Sequence, residues 1–170
     1  MDDKVLMEPQ LDRGKLIFMR GITATLGMGV ALVFLAPFLL VVAAALGGLL
    51  GIIVGIMVTL MVAAIPGFLY SWLWVERLIY QVTNEGIFIK EGILFKKWKT
   101  IPFDKITDIV ISQGPLEMIF GLKSIRIQTA GMGYGVPEGT FHGIANAEET
   151  RNKIMEIRNK FIGRSVKYDE

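Results

Sequence analysis

The sequence predicts two membrane-spanning helices followed by an α+β domain, in which a C-terminal helix closes an antiparallel sheet or open barrel. Three observations predict this class. First, the fifty-five consecutive residues from Gly21 to Val75 include no Asp, Glu, Lys, Arg or His. Second, apolar and polar residues alternate after Leu78, as in short strands. Third, a helical pattern that begins with a capping signal follows Asn146.

Composition limits both the size and the chemistry of the protein. Of 170 residues, about 95 follow the apolar block, which is enough for one small soluble domain. Cysteine is absent, and this excludes disulfides, thiolate metal sites and cysteine nucleophiles. The net charge of +2 supplies no broad basic field, so no nucleic-acid partner is expected.

The first twenty residues mix acids with bases, and Pro9 and Gly14 interrupt any long helix there. A cleaved signal peptide would have an apolar core of about 7–15 residues, much shorter than the run that follows here. We therefore expect residues 1–20 to form a short cytosolic tail, with or without an interfacial helix at the bilayer.

The apolar block, 21–75, divides naturally at the pair Gly47-Gly48. This gives one predicted span near Ile22–Leu46 and a second near Leu49–Trp74, each long enough for a crossing of about 20 residues. Because almost nothing joins them, the spans should form a tight hairpin with both chain ends on one side of the membrane.

Basic residues indicate which side that is. Arg13, Lys15 and Arg20 precede the first span, Arg77 and Lys90 follow the second, and the connecting turn has no base. The positive-inside rule then places both termini and the soluble domain in the cytosol, at the cell membrane. The aromatic residues near the end of the second span agree with a boundary there: Tyr70, Trp72, Trp74 and Tyr80.

Glycine recurs every fourth residue at Gly47, Gly51 and Gly55, which would line one face of the second helix. Small-residue faces let helices approach closely in membranes. Packing against the hairpin's own first helix is the favoured interpretation, and homodimerisation is the alternative. Since neither span contains an acidic, basic or histidine residue, the helices are expected to anchor the protein without carrying ions.

The soluble part, 76–163, reads as strands with turn residues at close spacing. Residues 113–121 read as a compact turn with a short helical twist, and 131–135 as a hairpin loop. Asn146 and Glu149 form a capping box for a final helix that Gly163 is placed to end, leaving 164–170 as a tail. The predicted strands lie within 78–83, 87–90, 93–95, 106–111, 124–128 and 140–144.

The order of these elements resembles the bacterial and archaeal PH-like domain of membrane-flanked proteins, formerly a domain of unknown function. The resemblance covers Leu78 to Phe161, and the two preceding spans fit the layout of that family. It is carried by Tyr80 to Gly86, Gly92, Ile101-Pro102, Ile106, Gln113-Gly114, Phe120-Gly121, Thr129 to Gly131, Gly143-Ile144 and Ala147 to Glu149.

The resemblance implies a strongly bent, seven-stranded antiparallel sheet closed at one end by the C-terminal helix, and a binding or scaffold role without a specified ligand. Eukaryotic PH domains often bind phosphoinositides through bases around the first hairpin. Here that turn is Asn84-Glu85-Gly86, which is acidic, so the lipid site is not carried over. An OB-like barrel is the alternative fold, and the capped C-terminal helix argues against it.

The sharpest candidate site is a lysine patch of Lys96, Lys97, Trp98 and Lys99. Each base near a membrane adds about 1 kcal/mol of attraction to anionic lipid headgroups. The alternative is a solvated strand edge, where lysines prevent pairing with another sheet.

Catalytic and metal sites are not indicated. His142 is the only histidine and has no cysteine with which to share a metal. Ser124 with Asp108 or His142 lacks the surroundings of a nucleophile elbow. The glycines of 131–135 lack the Lys-Ser/Thr ending of a phosphate loop. No metal or cofactor is predicted.

We therefore predict a non-enzymatic, membrane-anchored protein that presents a cytosolic PH-like domain for protein scaffolding or oligomerisation and for inner-leaflet lipid contact. The partners expected are the bilayer, anionic headgroups, and a second copy or an unidentified protein. A membrane-tethered enzyme, or an accessory subunit of one, is the alternative. It would need a pocket of convergent titratable groups, and the sequence shows no such cluster.

Overall fold

The computed structural model describes residues 4–32, 36–130 and 137–165. The chain divides into two compact units, one of Met1–Leu16 with Glu76–Glu170 and one of Ile17–Val75. The first unit therefore takes its chain from both sides of the apolar block.

Among the described residues, seven antiparallel strands build the first unit. One sheet has the order β1 (Val5–Met7), β2 (Ile79–Thr83), β3 (Gly86–Glu91) and β4 (Lys97–Pro102). The other has the order β5 (Ile106–Ser112), β6 (Lys123–Thr129) and β7 (Gly139–Ile144). Neighbouring strands are connected along the chain, except β1, which reaches β2 only after the apolar block.

Three short or terminal helices complete this unit. A single 3-10 turn, Phe103–Lys105, joins the two sheets, and α3 (Pro115–Phe120) lies between β5 and β6. The last helix, here α4, spans Ala147–Ser165, so it continues two residues beyond Gly163. The arrangement of seven antiparallel strands with a C-terminal helix is PH-like, as the resemblance implied.

Two segments differ from their predicted structures. The N-terminal segment, expected as a tail, supplies β1, in which Val5 pairs with Thr83 and Met7 with Val82. Residues 93–95, expected as a strand, lie in a turn, because β3 extends to Glu91 and β4 begins only at Lys97. The loop predicted at 131–135 lies outside the described residues.

The core forms where the two sheets face each other. Its largest fully buried side chains include Ile87 and Ile101 from one sheet and Ile125, Ile127 and Phe141 from the other. Ile125 and Ile127 are two residues apart on β6, as expected where alternate side chains of a pleated strand point inward.

Tyr80 connects the two sheets. Its ring stacks on Phe141 of β7 with centroids 4.6 Å apart. Its hydroxyl oxygen accepts the main-chain N–H of His142 at 3.1 Å. A buried tyrosine hydroxyl is thereby satisfied across the sheets.

Helix α4 covers one side of the core with the face predicted from its periodicity. Ala147, Thr150 and Ile154 are buried, and the ring of Phe161 lies 5.6 Å from that of Phe103. Arg158 donates to the carbonyl of Ile106 at 2.8 Å, which fixes the far part of the helix on the start of β5.

The segment between β1 and the apolar block packs on the end of β7. Leu11 forms a bridge with Ile144, and the N–H of Asp12 donates to the carbonyl of Gly143 at 3.0 Å. Leu16 is fully buried against Gly143. The N-terminal residues are thus part of the folded domain.

The second unit contains most of two helices, α1 (Arg13–Leu32) and α2 (Ala36–Glu76). Gly48 interrupts α2 with non-helical dihedrals, φ 57° and ψ −135°, at the predicted break. Within the described residues, one helical stretch, Gly47–Glu76, is long and apolar enough to span a membrane. The first predicted span, 22–46, includes residues outside the described part and stays a prediction.

Candidate functional site

The lysine patch is built by the hairpin of β3 and β4. Glu91 pairs with Lys97 as the last strand pair, and the five residues Gly92–Lys96, here called the hairpin tip, connect the strands. Gly92 has φ 103°, and a Cβ there would lie 2.0 Å from the carbonyl oxygen of Phe95. The turn therefore requires glycine at this position.

Lys96 and Lys97 are exposed, and neither forms a salt bridge with any residue in the described part of the chain. Trp98 is 60% exposed and lies opposite Lys90, whose Nζ is 6.0 Å from the centre of the indole ring. A cation at that distance is weakly attracted to the ring. Both lysines and the indole face are thus open to a ligand.

Lys99 has a different environment. Its Nζ donates to the carbonyl of Glu138 at 2.6 Å and lies 3.3 Å from the carboxylate of the same residue. The Thr129 hydroxyl, which donates to this carboxylate, and then Lys99 lower the pKa of Glu138 below its ordinary value. Lys99 therefore ties β4 to the start of β7, and its charge is largely matched inside the domain.

The hairpin tip carries two large apolar side chains that sequence reasoning assigned to a strand. Leu94 is 88% exposed and Phe95 is 85% exposed, more than any other large hydrophobic residue in the described part of the first unit. Their position directly before two lysines was visible in the sequence. Their exposure was not, because alternation alone places one of two adjacent apolar residues inward.

A cleft of about 720 Å³ lies beside the patch, between β4 and the start of β7. Its walls mix cationic, aromatic and hydroxyl side chains with the carboxylates of Glu91 and Glu138, so the cleft is polar and carries charges of both signs. The residues that line it include Lys96, Lys97, Trp98, Lys99, Thr140 and His142.

Ser124 and His142 are brought together, but in the wrong order for a catalytic triad. Ser124 Oγ donates to the carboxylate of Glu117 and lies 3.3 Å from Nδ1 of His142. In a triad the imidazole stands between the hydroxyl and the acid, whereas here the hydroxyl stands between the other two. Glu117 also accepts the N–H of Gly114 at 2.8 Å, which is a helix-capping contact.

Asp108, the acid considered with Ser124 for a catalytic triad, forms a different contact. The carboxylate of Asp108 accepts the N–H of Ile109 at 2.7 Å. Across the described ranges, no group of three or more His, Asp or Glu side chains is placed to hold a metal ion. The cluster around Ser124 is therefore best explained as a polar contact that fixes α3 on β6 and β7.

The predicted glycine face lies on both sides of the break in α2. Gly47 precedes Gly48 and is exposed, with no atom of the described residues within 4 Å of a Cβ built on it. Gly51 and Gly55 are half-buried, and the carbonyl of Gly55 accepts the hydroxyl of Thr59 at 2.8 Å. The first of these glycines is thus open to another helix.

The close contact between α1 and α2 uses other small residues. A Cβ on Gly21 would lie 2.5 Å from the ring of Phe68, and one on Gly67 would lie 3.1 Å from Thr25 Oγ1. Ser71, one turn after Gly67, is buried. Sequence reasoning missed this contact, although Gly21-x3-Thr25 and Gly67-x3-Ser71 both have the small-residue spacing of membrane helix pairs.

A cation lies at the predicted membrane boundary in the second unit. The guanidinium carbon of Arg20 is 3.4 Å from the ring centre of Trp74. Arg20 on α1 therefore meets the last turns of α2, and Gly21 meets Phe68 one to two turns earlier, so the two helices run antiparallel. Arginine on an indole face suits the headgroup layer of a membrane.

Comparison with known proteins identifies one family and one relative. A sequence profile of the family described as Bacterial PH domain matches residues 22–158. The transmembrane protein YdbT of Bacillus subtilis (strain 168) is 30% identical over 111 residues, which are 61% of this chain and 22% of that protein. The chain thus matches about a fifth of the relative's length. No solved structure matches the chain at a significant level.

Proposed function

The chain belongs to the bacterial PH domain family, and from this premise we propose that it is a non-enzymatic membrane protein whose PH-like domain is held at the cytoplasmic face by a two-helix hairpin. PH-like domains are a non-catalytic type of module, and the relative YdbT is a transmembrane protein. The domain would there contact proteins and the lipid of the inner leaflet.

One observation carries this proposal: the residues on both sides of the apolar block fold into the same domain. Strand β1, before the block, pairs with β2, after it, and Leu16 is fully buried in that domain. A segment whose two ends are fixed on one side of a membrane crosses it an even number of times. The apolar block, 21–75, has room for two crossings of about 20 residues each.

The contacts inside the second unit agree with two crossings. Gly21 faces Phe68 and Thr25 faces Gly67, so α1 and α2 pack antiparallel through small residues. Gly48 interrupts the helix near the middle of the block, where a hairpin needs its turn. The side is inferred from the bases. Arg13, Lys15 and Arg20 precede the apolar block and Arg77 follows it, whereas the block itself contains no base.

The absence of cysteine allows a direct test. Single variants Gln10→Cys, Gly47→Cys and Asp104→Cys place one thiol before the block, one at the proposed turn and one in the domain. In sealed right-side-out vesicles, a membrane-impermeant maleimide should label only Gly47→Cys. In inverted vesicles it should label only the other two. Labelling of all three from one side would exclude the hairpin.

A second copy of the chain is the partner that the anchor supports best. Gly51 and Gly55 follow one helix face after the break at Gly48, and Gly47, before the break, is open to a neighbouring helix. In mild detergent the full chain should be larger than a monomer by light scattering, and Gly51→Leu should reduce its mass. Gly27→Leu, on the exposed part of α1, is the control. A monomeric mass for the unaltered chain would contradict self-association.

A further inference from the structure

We propose that the hairpin tip inserts Leu94 and Phe95 into an anionic bilayer, while Lys96 and Lys97 contact the headgroups. Such insertion rests on the proposed function, because the anchor is what keeps the tip beside a membrane. The proposed lipid-contacting surface therefore includes the apolar pair Leu94 and Phe95 as well as Lys96 and Lys97. It does not include Lys99, which pairs with Glu138.

Strand register places the tip at the end of the sheet where β2 begins. Ile79, the first residue of β2, pairs with Lys90, and Lys90 pairs with Trp98. The tip therefore projects from the same sheet end at which β2 receives the chain from α2. Leu94 is the third residue after Glu91, so the apex lies up to about 10 Å beyond the last strand pair.

The chemistry of the tip is that of a membrane-interface segment. Two adjacent large apolar side chains are almost fully exposed, which is unusual for a small soluble domain. Two exposed lysines, neither of which forms a salt bridge with the described residues, follow them directly. Apolar residues that enter the headgroup boundary by about 5–10 Å, next to lysines that meet anionic lipid, are typical of interfacial membrane segments.

The charge around the tip is basic on balance. Lys90, Lys96 and Lys97 are opposed by Glu91 alone within the hairpin, and no salt bridge in the described part of the chain neutralises Lys96 or Lys97. Lys99 is held by Glu138. The free positive charge therefore lies on the tip side of the hairpin, next to the apolar pair.

The test uses the full chain reconstituted in vesicles, with one fluorescent thiol label at a time. Leu94→Cys reports the tip, Asp104→Cys reports the opposite end of the sheet, and Met57→Cys reports the apolar helix α2. Vesicles contain neutral lipid alone or neutral lipid with anionic phosphatidylglycerol, and each set also carries a spin-labelled lipid as quencher.

We expect the label at position 94 to be quenched in anionic vesicles and much less in neutral ones, and the label at 104 in neither. Lys96→Gln with Lys97→Gln should reduce the inserted fraction, with the equilibrium shifted about fivefold for each lysine. Position 57 should be quenched throughout, which shows that the anchor is in the bilayer.

Three results would overturn the insertion. One is an unquenched label at 94 in anionic vesicles while position 57 is quenched. The second is equal quenching at 94 in both lipids, unaffected by the lysine variants. The third is a label at 94 that is shielded from a water-soluble quencher without lipid quenching, which would indicate a protein or a second copy on the tip. Loss of quenching at 57 would instead contradict the anchor.

Discussion

The guanidinium of Arg13 donates to the main-chain carbonyl of Glu76 at 3.2 Å, so one side chain joins the residues on either side of the apolar block. It also reaches the carbonyl of Leu78 at 3.5 Å. The carbonyl of Glu76 belongs to the last residue of α2, and that of Leu78 lies two residues after the helix. A cation at the C-terminal end of a helix also interacts favourably with the helix dipole. The two chain segments that lead into the second unit are thereby held side by side.

Replacing Arg13 with Ala should loosen the N-terminal strand. The contact is partly exposed, so its loss should cost about 1 kcal/mol, which corresponds to roughly fivefold faster hydrogen exchange. The measurement is amide exchange of residues 4–12 in the detergent-solubilised full chain. Lys15→Ala is the control, because its ion pair with Asp12 is a surface pair. Equal exchange in both variants and the unaltered chain would show that β1 does not depend on Arg13.

Replacing Gly143 with Ala should destabilise the domain through Leu16. Gly143 has φ 72°, and an added Cβ would lie 2.8 Å from Leu16 Cδ2. The left-handed backbone conformation should cost alanine about 1–2 kcal/mol of folding stability, and the overpacking against Leu16 about 1–3 kcal/mol. Gly14→Ala is the matched control, since the atom nearest to its added Cβ would be Asp12 Oδ1 at 3.9 Å, in a helix that favours alanine. Thermal unfolding of both variants should show a lower midpoint only for Gly143→Ala.

Most of the fold could be predicted from the sequence because its signals are local. Alternation located β2 and β6, short apolar runs next to turn residues located β3, β5 and β7, and the capping box at Asn146 located α4. The strand β1 could not be predicted in this way. Three residues are too few to show a period, and their pairing with β2 depends on two segments brought together across more than seventy residues. The local sequence pattern does not indicate that these two segments come together.

The residues of the candidate site were predicted from the sequence, but their arrangement was not. Lys96 and Lys97 are exposed as expected, but Lys99 is turned toward Glu138, thirty-nine residues away in sequence. Leu94 and Phe95 were assigned to a strand because they belong to a short apolar run that follows the turn residues Glu91-Gly92. Gly92, with its positive φ, turns the chain there and leaves both side chains in solvent.

Replacing Gly67 with Leu should weaken the packing of α1 on α2. A Cβ at this position would already lie 3.2 Å from the main-chain nitrogen of Thr25, so a larger side chain must separate the helices. We expect a loss of about 1–3 kcal/mol, measured as a lower midpoint of thermal unfolding in one detergent. Gly27→Leu, with nothing within 4 Å of a Cβ, should stay within about 0.5 kcal/mol. Equal midpoints for the two variants would contradict the close contact.

Acidification should weaken the link between β4 and β7 that Lys99 and Glu138 form. The Thr129 hydroxyl and Lys99 lower the pKa of Glu138 below its ordinary value of 4.5 in the folded chain. A group whose pKa is lower when folded stabilises the fold above its unfolded pKa and loses that contribution as the pH falls through the folded value. The stabilisation should therefore be complete above pH 4.5 and decline below it.

Glu138→Gln isolates this contribution, because glutamine keeps the shape of the side chain and cannot titrate. The variant should be less stable than the unaltered chain near neutral pH, and the difference between their unfolding midpoints should shrink as the pH is lowered below 4.5. Glu149→Gln is the control, since Glu149 pairs with Lys153 on the exposed face of α4. Its effect should be smaller at every pH, because solvent screens a surface pair. A difference for Glu138→Gln that stays constant with pH would show that the carboxylate charge does not hold the two strands together.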